Sequence, residues 1–128
     1  VKQPERTGNE HILVVDDEAC IVQIEKEVLS RMGYQVTTFT SSVNALSAFK
    51  ANPEKFDAVI TDMSMPKMTG LAMAEAMLAL DPDLPVIICT GFSQTLDRDR
   101  AESMGIKALL FKPVGKSQLS AALKDALG

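Results

Sequence analysis

The chain contains no tryptophan, one tyrosine, one histidine and two cysteines. Each scarcity removes a class of explanation. Cys20 and Cys89 cannot build a disulfide framework, and no Cys or His spacing matches a zinc site. Both read as small buried or half-buried thiols, as expected in a reducing compartment. No apolar run approaches the roughly 20 residues of a membrane span, and the polar opening from Val1 to Glu10 lacks a signal-peptide core. The expectation is therefore a cytoplasmic domain without direct membrane contact. Lys and Arg are unclustered and the net charge is −4, so direct nucleic-acid binding is not expected either. The single histidine, His11, precedes the first apolar run and reads as a solvent-facing residue at the start of a strand.

What is present suffices for one compact core: 128 residues, 46% of them hydrophobic. The expected division is a linker or tail over residues 1–9 and one domain over 10–128. Short apolar runs occur at Ile12 to Val15, Val36 to Phe39, Ala58 to Thr61, Val86 to Cys89 and Ala108 to Phe111. Four of these are nearly continuous, the pattern of strands covered on both faces. Only Val36 to Phe39, interrupted by Thr37 and Thr38, reads as an edge.

Between the runs lie segments of helical period. Ile21, Ile24, Val28 and Met32 form a stripe that stops before Gly33, a C-terminal cap. Val43, Leu46 and Phe49 follow Ser41 and Ser42, either of which can cap. Leu71, Ala74 and Leu78 make a third stripe, and Leu119, Ala122, Leu123 and Leu127 the last. The segment from Ser93 to Met104 has few apolar anchors and predicts the least firmly packed helix. Alternating buried strands and amphipathic helices predict a parallel sheet with helices on both faces.

In such a sheet the functional crevice lies beyond the carboxyl ends of the strands. Asp16 and Asp17 follow the first strand, Asp62 the third, Thr90 closes the fourth and Lys112 follows the fifth. Carboxylates at close range repel unless a cation joins them. Mg²⁺ meets that need, binding through one or two carboxylates while keeping waters and phosphate oxygens. Lys112 would add a positive charge for a phosphoryl group and Thr90 a hydroxyl donor. Asp62, alone after its strand, is the better nucleophile for an acyl phosphate, and the Asp16–Asp17 doublet the better metal holder.

The motifs "VVDDE", "ITDMSMPKMTG", "ICTG" and "LLFKPV", in this order and at these strand ends, resemble the receiver domain of two-component signalling systems. The resemblance runs from Glu10 to Leu127. It implies a flavodoxin-like, doubly wound α/β fold, with a five-stranded parallel sheet of order 2-1-3-4-5 and five helices in three layers. It implies that Asp62 takes a phosphoryl group from phosphohistidine, in a reaction the domain itself catalyses. Asp16 or Asp17, with Asp62 and the Ser64 carbonyl, would hold Mg²⁺, while Thr90 and Lys112 respond to the phosphate. A cis peptide bond before Pro113 is implied as well.

The wording is most similar to the receivers at the C-terminal side of hybrid sensor histidine kinases, whose parent chains are membrane associated. The partners expected are a histidine kinase core, a histidine phosphotransfer protein, or both, with the isolated domain a monomer. The alternative is a stand-alone single-domain response regulator, a binding protein switched by phosphorylation. Two positions depart from the family pattern. Leu109 stands where an aromatic switch residue is common, and Gly91 opens the loop after Thr90, leaving it free backbone and little steric cover. Movement of that loop without an aromatic flip is the expectation. In the first helix, Ile21, Ile24 and Val28 offer more apolar surface than one buried side needs, so part of it is expected to meet a partner. A phosphate-ester hydrolase on the same fold would need a second carboxylate soon after Asp62. Met63, Ser64 and Met65 stand there instead.

Overall fold

The computed structural model describes residues 10–91, 102–112 and 114–127. Five parallel strands form one sheet in the order β2-β1-β3-β4-β5. They are β1 (His11–Val15), β2 (Gln35–Phe39), β3 (Ala58–Asp62), β4 (Val86–Thr90) and β5 (Ala108–Phe111). The helices are α1 (Ala19–Arg31), α2 (Ser42–Ala51), α3 (Gly70–Leu80) and α4 (Lys116–Leu127), with a short 3₁₀ turn at Pro53–Lys55. Residues 102–104 are helical. The rest of the helix expected from Ser93 lies outside the described residues, as do the segment 1–9 and Pro113 with its expected cis bond.

The period-two alternation of the strands divides the core. Leu13, Val15, Val59, Val86 and Ile88 pack with Leu46 and Phe49 of α2 and Leu71, Met73 and Met77 of α3. Ile12, Val14, Ala58, Ile60, Ile87 and Cys89 pack on the other face with Leu29 of α1 and Leu119 and Leu123 of α4. The result is the three-layer, doubly wound flavodoxin-like arrangement. Six of the seven methionines, all but Met32, belong to the α2–α3 face, four of them buried.

β1, β3 and β4 are covered on both faces, as their continuous apolar runs require. β2 is an edge, half-exposed along its length. β5 corrects the expectation of a fully covered strand: Ala108 to Phe111 is the other edge and is only half-buried. Composition misleads there because an apolar edge strand and an apolar inner strand share one pattern.

Helix registers differ from the apparent stripes. In α1 the buried residues are Val22 and Leu29, while Ile21 and Val28 are half-buried and Ile24 is 57% exposed. The apolar residues span more than one face, and the sheet takes the Val22–Leu29 side. In α2 the buried set is Ser42, Ala45, Leu46 and Phe49, and Val43 lies largely in water. Ser41 is the cap, its side chain accepting from the Asn44 N–H at 3.2 Å. Ser42 is turned inward and donates to the Met68 carbonyl at 2.8 Å. Gly33 takes a φ of 98°, which glycine adopts without strain, and ends α1 as expected. Cys89 is buried, but Cys20 is exposed, against the expectation of a buried or half-buried thiol, because it lies on the outer side of the first turn of α1.

Gly70 is required by close approach. A Cβ there would fall on the Asp62 carbonyl oxygen, far inside van der Waals contact, because the Gly70 N–H is bonded to the Met63 carbonyl at 2.8 Å. Gly70→Ala should destabilise the protein by about 2 kcal/mol or more, read as a lowered urea midpoint. An unchanged midpoint would show that the start of α3 can move away from β3.

Candidate functional site

The site begins where β1 stops pairing. The Asp16 N–H still donates to the Phe39 carbonyl at 3.2 Å, one step beyond the strand. The Asp16 carboxylate then accepts from the Glu18 N–H at 3.0 Å, a local turn that feeds the chain into α1. Asp16 is thereby buried and Asp17 exposed. The doublet thus resolves into one inner and one outer carboxylate.

Asp62 is the last residue of β3, opposite Cys89 in the ladder. The loop after it is held at both ends. The Met63 N–H donates to the Cys89 carbonyl at 2.9 Å, and the Thr69 side chain caps α3 by accepting from the Ala72 N–H at 3.1 Å. Between them the Met68 N–H reaches back to the Pro66 carbonyl at 2.7 Å, with Lys67 at a φ of 70°, a three-residue γ-turn. Met63 and Met65 are buried beneath this loop, and Ser64 is exposed at its start.

Lys112 comes from the neighbouring edge. Its N–H extends the β4–β5 ladder to the Thr90 carbonyl at 2.8 Å, and its Nζ lies 2.6 Å from Asp62 Oδ1 and 3.7 Å from Asp16 Oδ2. Oxygens of Asp16, Asp17 and Asp62 lie within 4.8 Å of one another. An all-oxygen set of three carboxylates beside open surface fits a hard divalent ion that retains waters.

Burial raises the proton affinity of Asp16; the hydrogen bond from Glu18 opposes this, Asp62 adds to it, and Lys112 opposes it. Burial disfavours the charge on Lys112, but its hydrogen bond to Asp62 and the attraction of Asp62 and Asp16 outweigh that and raise its pKa. Thr90 is fully buried, with its hydroxyl directed to the Gly91 carbonyl at 3.3 Å. A Cβ on Gly91 would meet nothing within 4 Å, so the steric openness expected at that position is present.

The structure therefore brings together Asp16, Asp17, Asp62 and Lys112, with Thr90 at the adjoining strand end. Leu109 packs against the α2–α3 core, paired with Ile88. His11 is at the far end of β1, half-buried, with Nε2 2.6 Å from Thr37 Oγ1 and its ring edge-on to Phe56. Ile21 and Ile24 flank the acidic cluster on the α1 side. They line a groove of about 480 Å³ with Glu18, Glu25, Cys89, Lys112 and Val114.

Glu25 is the residue that sequence reasoning missed. The signal was available: Val22, Glu25 and Leu29 recur at steps of three and four, so the buried face of α1 carries a carboxylate in its middle. Burial, with Asp16 and Asp62 adding and Lys112 opposing, pushes its carboxyl up to about 7.

This chemistry on this fold defines a phosphoacceptor domain with a Mg²⁺ site. Residues 12–124 match the response regulator receiver domain family, and the chain belongs to that family. It is 35% identical over 117 residues to the transcriptional regulatory protein GlrR of Escherichia coli, covering 91% of this chain and 26% of that protein. A probable transcriptional regulator, ycf27 of Porphyridium aerugineum, is also 35% identical, with 92% of this chain and 48% of the relative covered. The chain thus spans a quarter to a half of these relatives. Among solved structures, a receiver domain protein from Clostridium thermocellum superposes with a TM-score of 0.87 at 39% identity, covering 92% of this chain and 94% of that one. The chemotaxis protein CheY4 of Vibrio cholerae gives 0.82 at 28% identity, with 92% and 98% covered.

Glu25 makes a prediction about stability. Between its ordinary value of 4.5 and about 7, the folded chain holds a proton that the unfolded chain has released. Stability therefore falls as pH rises through that window, and the loss is complete above it. From about pH 5 to about pH 8 the wild type should lose roughly 2 kcal/mol more than Glu25→Gln. Urea melts at the two pH values measure it, and parallel losses would show that Glu25 titrates normally.

Proposed function

We propose that this domain is a binding module switched by phosphorylation, with Asp62 as the phosphoacceptor and a histidine-bearing helical protein as the donor. The observation that carries the reading is the Lys112–Asp62 contact of 2.6 Å inside a cluster of three carboxylates. An Asp62 oxygen attacks phosphorus, the bond from phosphorus to the imidazole nitrogen breaks, and imidazole leaves with the electron pair. Asp16 and Asp17 with Asp62, joined by the Ser64 carbonyl, would hold Mg²⁺, which would supply charge neutralisation for the phosphoryl oxygens. Lys112 moves from the Asp62 carboxylate to a phosphoryl oxygen. Thr90 turns its hydroxyl from the Gly91 carbonyl toward another, and the loop opened by Gly91 follows it. With Leu109 in place of an aromatic, that loop movement is itself the output; Pro113, expected to follow Lys112 with a cis bond, is part of the same proposed switch region.

The donor docks over Ile21, Ile24 and Val28. Exposure of Ile24 beside Lys112 supports that surface. The single-domain reading is favoured over the hybrid-kinase one. Two similar solved chains, a receiver domain protein and a chemotaxis protein, are covered almost completely by this one, whereas the transcriptional regulators named above are covered over a quarter to a half of their length. No helix among the described residues is long and apolar enough to cross a membrane.

Incubation with acetyl phosphate and Mg²⁺ should add one phosphoryl group, seen by intact mass, and Asp62→Asn should abolish it. Asp17→Asn should raise the Mg²⁺ concentration needed by about tenfold or more. Labelling that persists in Asp62→Asn would overturn the assignment. A Mg²⁺ requirement unchanged in both Asp16→Asn and Asp17→Asn would remove the doublet from the metal site.

A further inference from the structure

The groove beside the acidic cluster has apolar walls and one inward carboxylate whose presence the fold does not explain. Glu25 lies on the face of α1 that presents Val22 and Leu29 to the sheet. An apolar residue there would complete the stripe at no electrostatic cost, whereas a carboxylate is partly desolvated. The salt bridges of Lys112 run to Asp62 and Asp16, not to Glu25. Glu25 nevertheless lines the same groove as Lys112, and its electrostatic neighbours are Asp16, Lys112 and Asp62. It sits on the α1 side of the lysine, while Asp62 and Asp16 approach from the strand ends.

We infer that Glu25 is a positioning residue of the phosphoacceptor site, an anion on the groove side of Lys112 that competes with the phosphoryl group for the lysine's charge. The inference rests on the reading of Asp62 as phosphoacceptor and adds a residue to it. When Glu25 is ionised, the site carries one more negative charge and Lys112 is shared between groove and strand ends. Both effects disfavour an arriving anion. When Glu25 is protonated, Lys112 is committed to Asp62 and the phosphoryl oxygens. Phosphoryl retention is thereby coupled to proton concentration near neutrality.

The groups facing Glu25 can be named from every side. Glu18 shares the groove from α1, Asp16 lies at the end of β1 and Asp62 at the end of β3. Cys89 comes from β4, Lys112 follows β5, and Val114, before α4, is apolar. Burial pushes the Cys89 thiol up so far that it stays neutral. Asp16 also has a raised pKa, so its contribution must be separated by comparing variants that all retain it.

Beryllofluoride, an anionic stand-in for the phosphoryl group, serves as probe at saturating Mg²⁺. From about pH 6 to about pH 8 its affinity for wild type should fall about fivefold relative to Glu25→Gln, through the lost charge complementarity. Glu25→Leu should follow Gln, and Glu25→Asp should restore part of the pH dependence. A wild-type to Gln affinity ratio constant across that range would overturn the inference. So would a divergence of Gln and Leu that tracks their melting temperatures, since that is the mark of packing alone.

A second measurement needs no phosphoryl analogue. In a carbon-13 NMR titration the Glu25 carboxyl should titrate near neutrality, and Lys112→Met should move its midpoint higher. An unmoved midpoint would show that the two groups are not coupled. Failure of beryllofluoride to bind any variant would count against Asp62 as phosphoacceptor, and the titration would still decide the role of Glu25.

Discussion

The structure turns on electrostatic frustration at one edge of the sheet. Asp16 and Asp62 are buried and Asp17 stands beside them. Lys112 is the single cation salt-bridged to this group among the described residues. One ammonium cannot neutralise three carboxylates, so the site remains short of positive charge by construction. A divalent ion relieves that shortage, and a phosphoryl group then becomes tolerable. The remainder of the fold serves to keep the four groups from separating. β1, β3 and β4 are covered on both faces and fix the strand ends. The ladder hydrogen bonds beyond them, Asp16 to Phe39 and Lys112 to Thr90, carry the geometry one residue past the regular sheet.

Precision at the site is provided by backbone more than by side chains. The loop after Asp62 is tied to β4 through Met63, to α2 through Ser42 and to α3 through Gly70. These tethers leave Ser64 exposed and hold the carboxylate of Asp62 against Lys112. At the adjoining end of β4, a side chain at Gly91 would meet open space. Asp62 is thus held at the start of a clamped loop, and Thr90 ends its strand beside the open space at Gly91.

Much of this was legible in the sequence because strand ends are legible. Continuous apolar runs marked β1, β3 and β4, and the polar residue following each run marked the site. Less legible are the edge position of β5 and the faces that depend on rotation about a helix axis. Ile21, Ile24 and Val28 recur at helical spacing, yet the sheet selects Val22 and Leu29, since α1 is apolar around more than half its circumference. The Val43, Leu46 and Phe49 spacing points Val43 inward for the same reason, whereas Ser42 takes that direction to reach the Met68 carbonyl. Glu25 escaped notice because a charged residue is read as solvent-facing by default. Its neighbours three and four positions away show otherwise. The edge position of β5 could not be inferred from Ala108 to Phe111, which carry no polar alternation.

The unequal distribution of methionine between the two sheet faces has a mechanical consequence. The α1–α4 side is filled largely by branched aliphatic residues with few rotamers, and it supports β1 like a stiff backing. The α2–α3 side, directly behind the loop that follows Asp62, holds Met63, Met65, Met73 and Met77, whose unbranched thioethers repack at small cost. The sheet is therefore compliant on one side and rigid on the other. Strain introduced at the carboxyl ends of its strands will relax preferentially into the methionine layer. The same asymmetry makes that layer the chemically vulnerable one: oxidation to sulfoxide would insert polar oxygen behind the phosphoacceptor loop while leaving the backing of β1 intact.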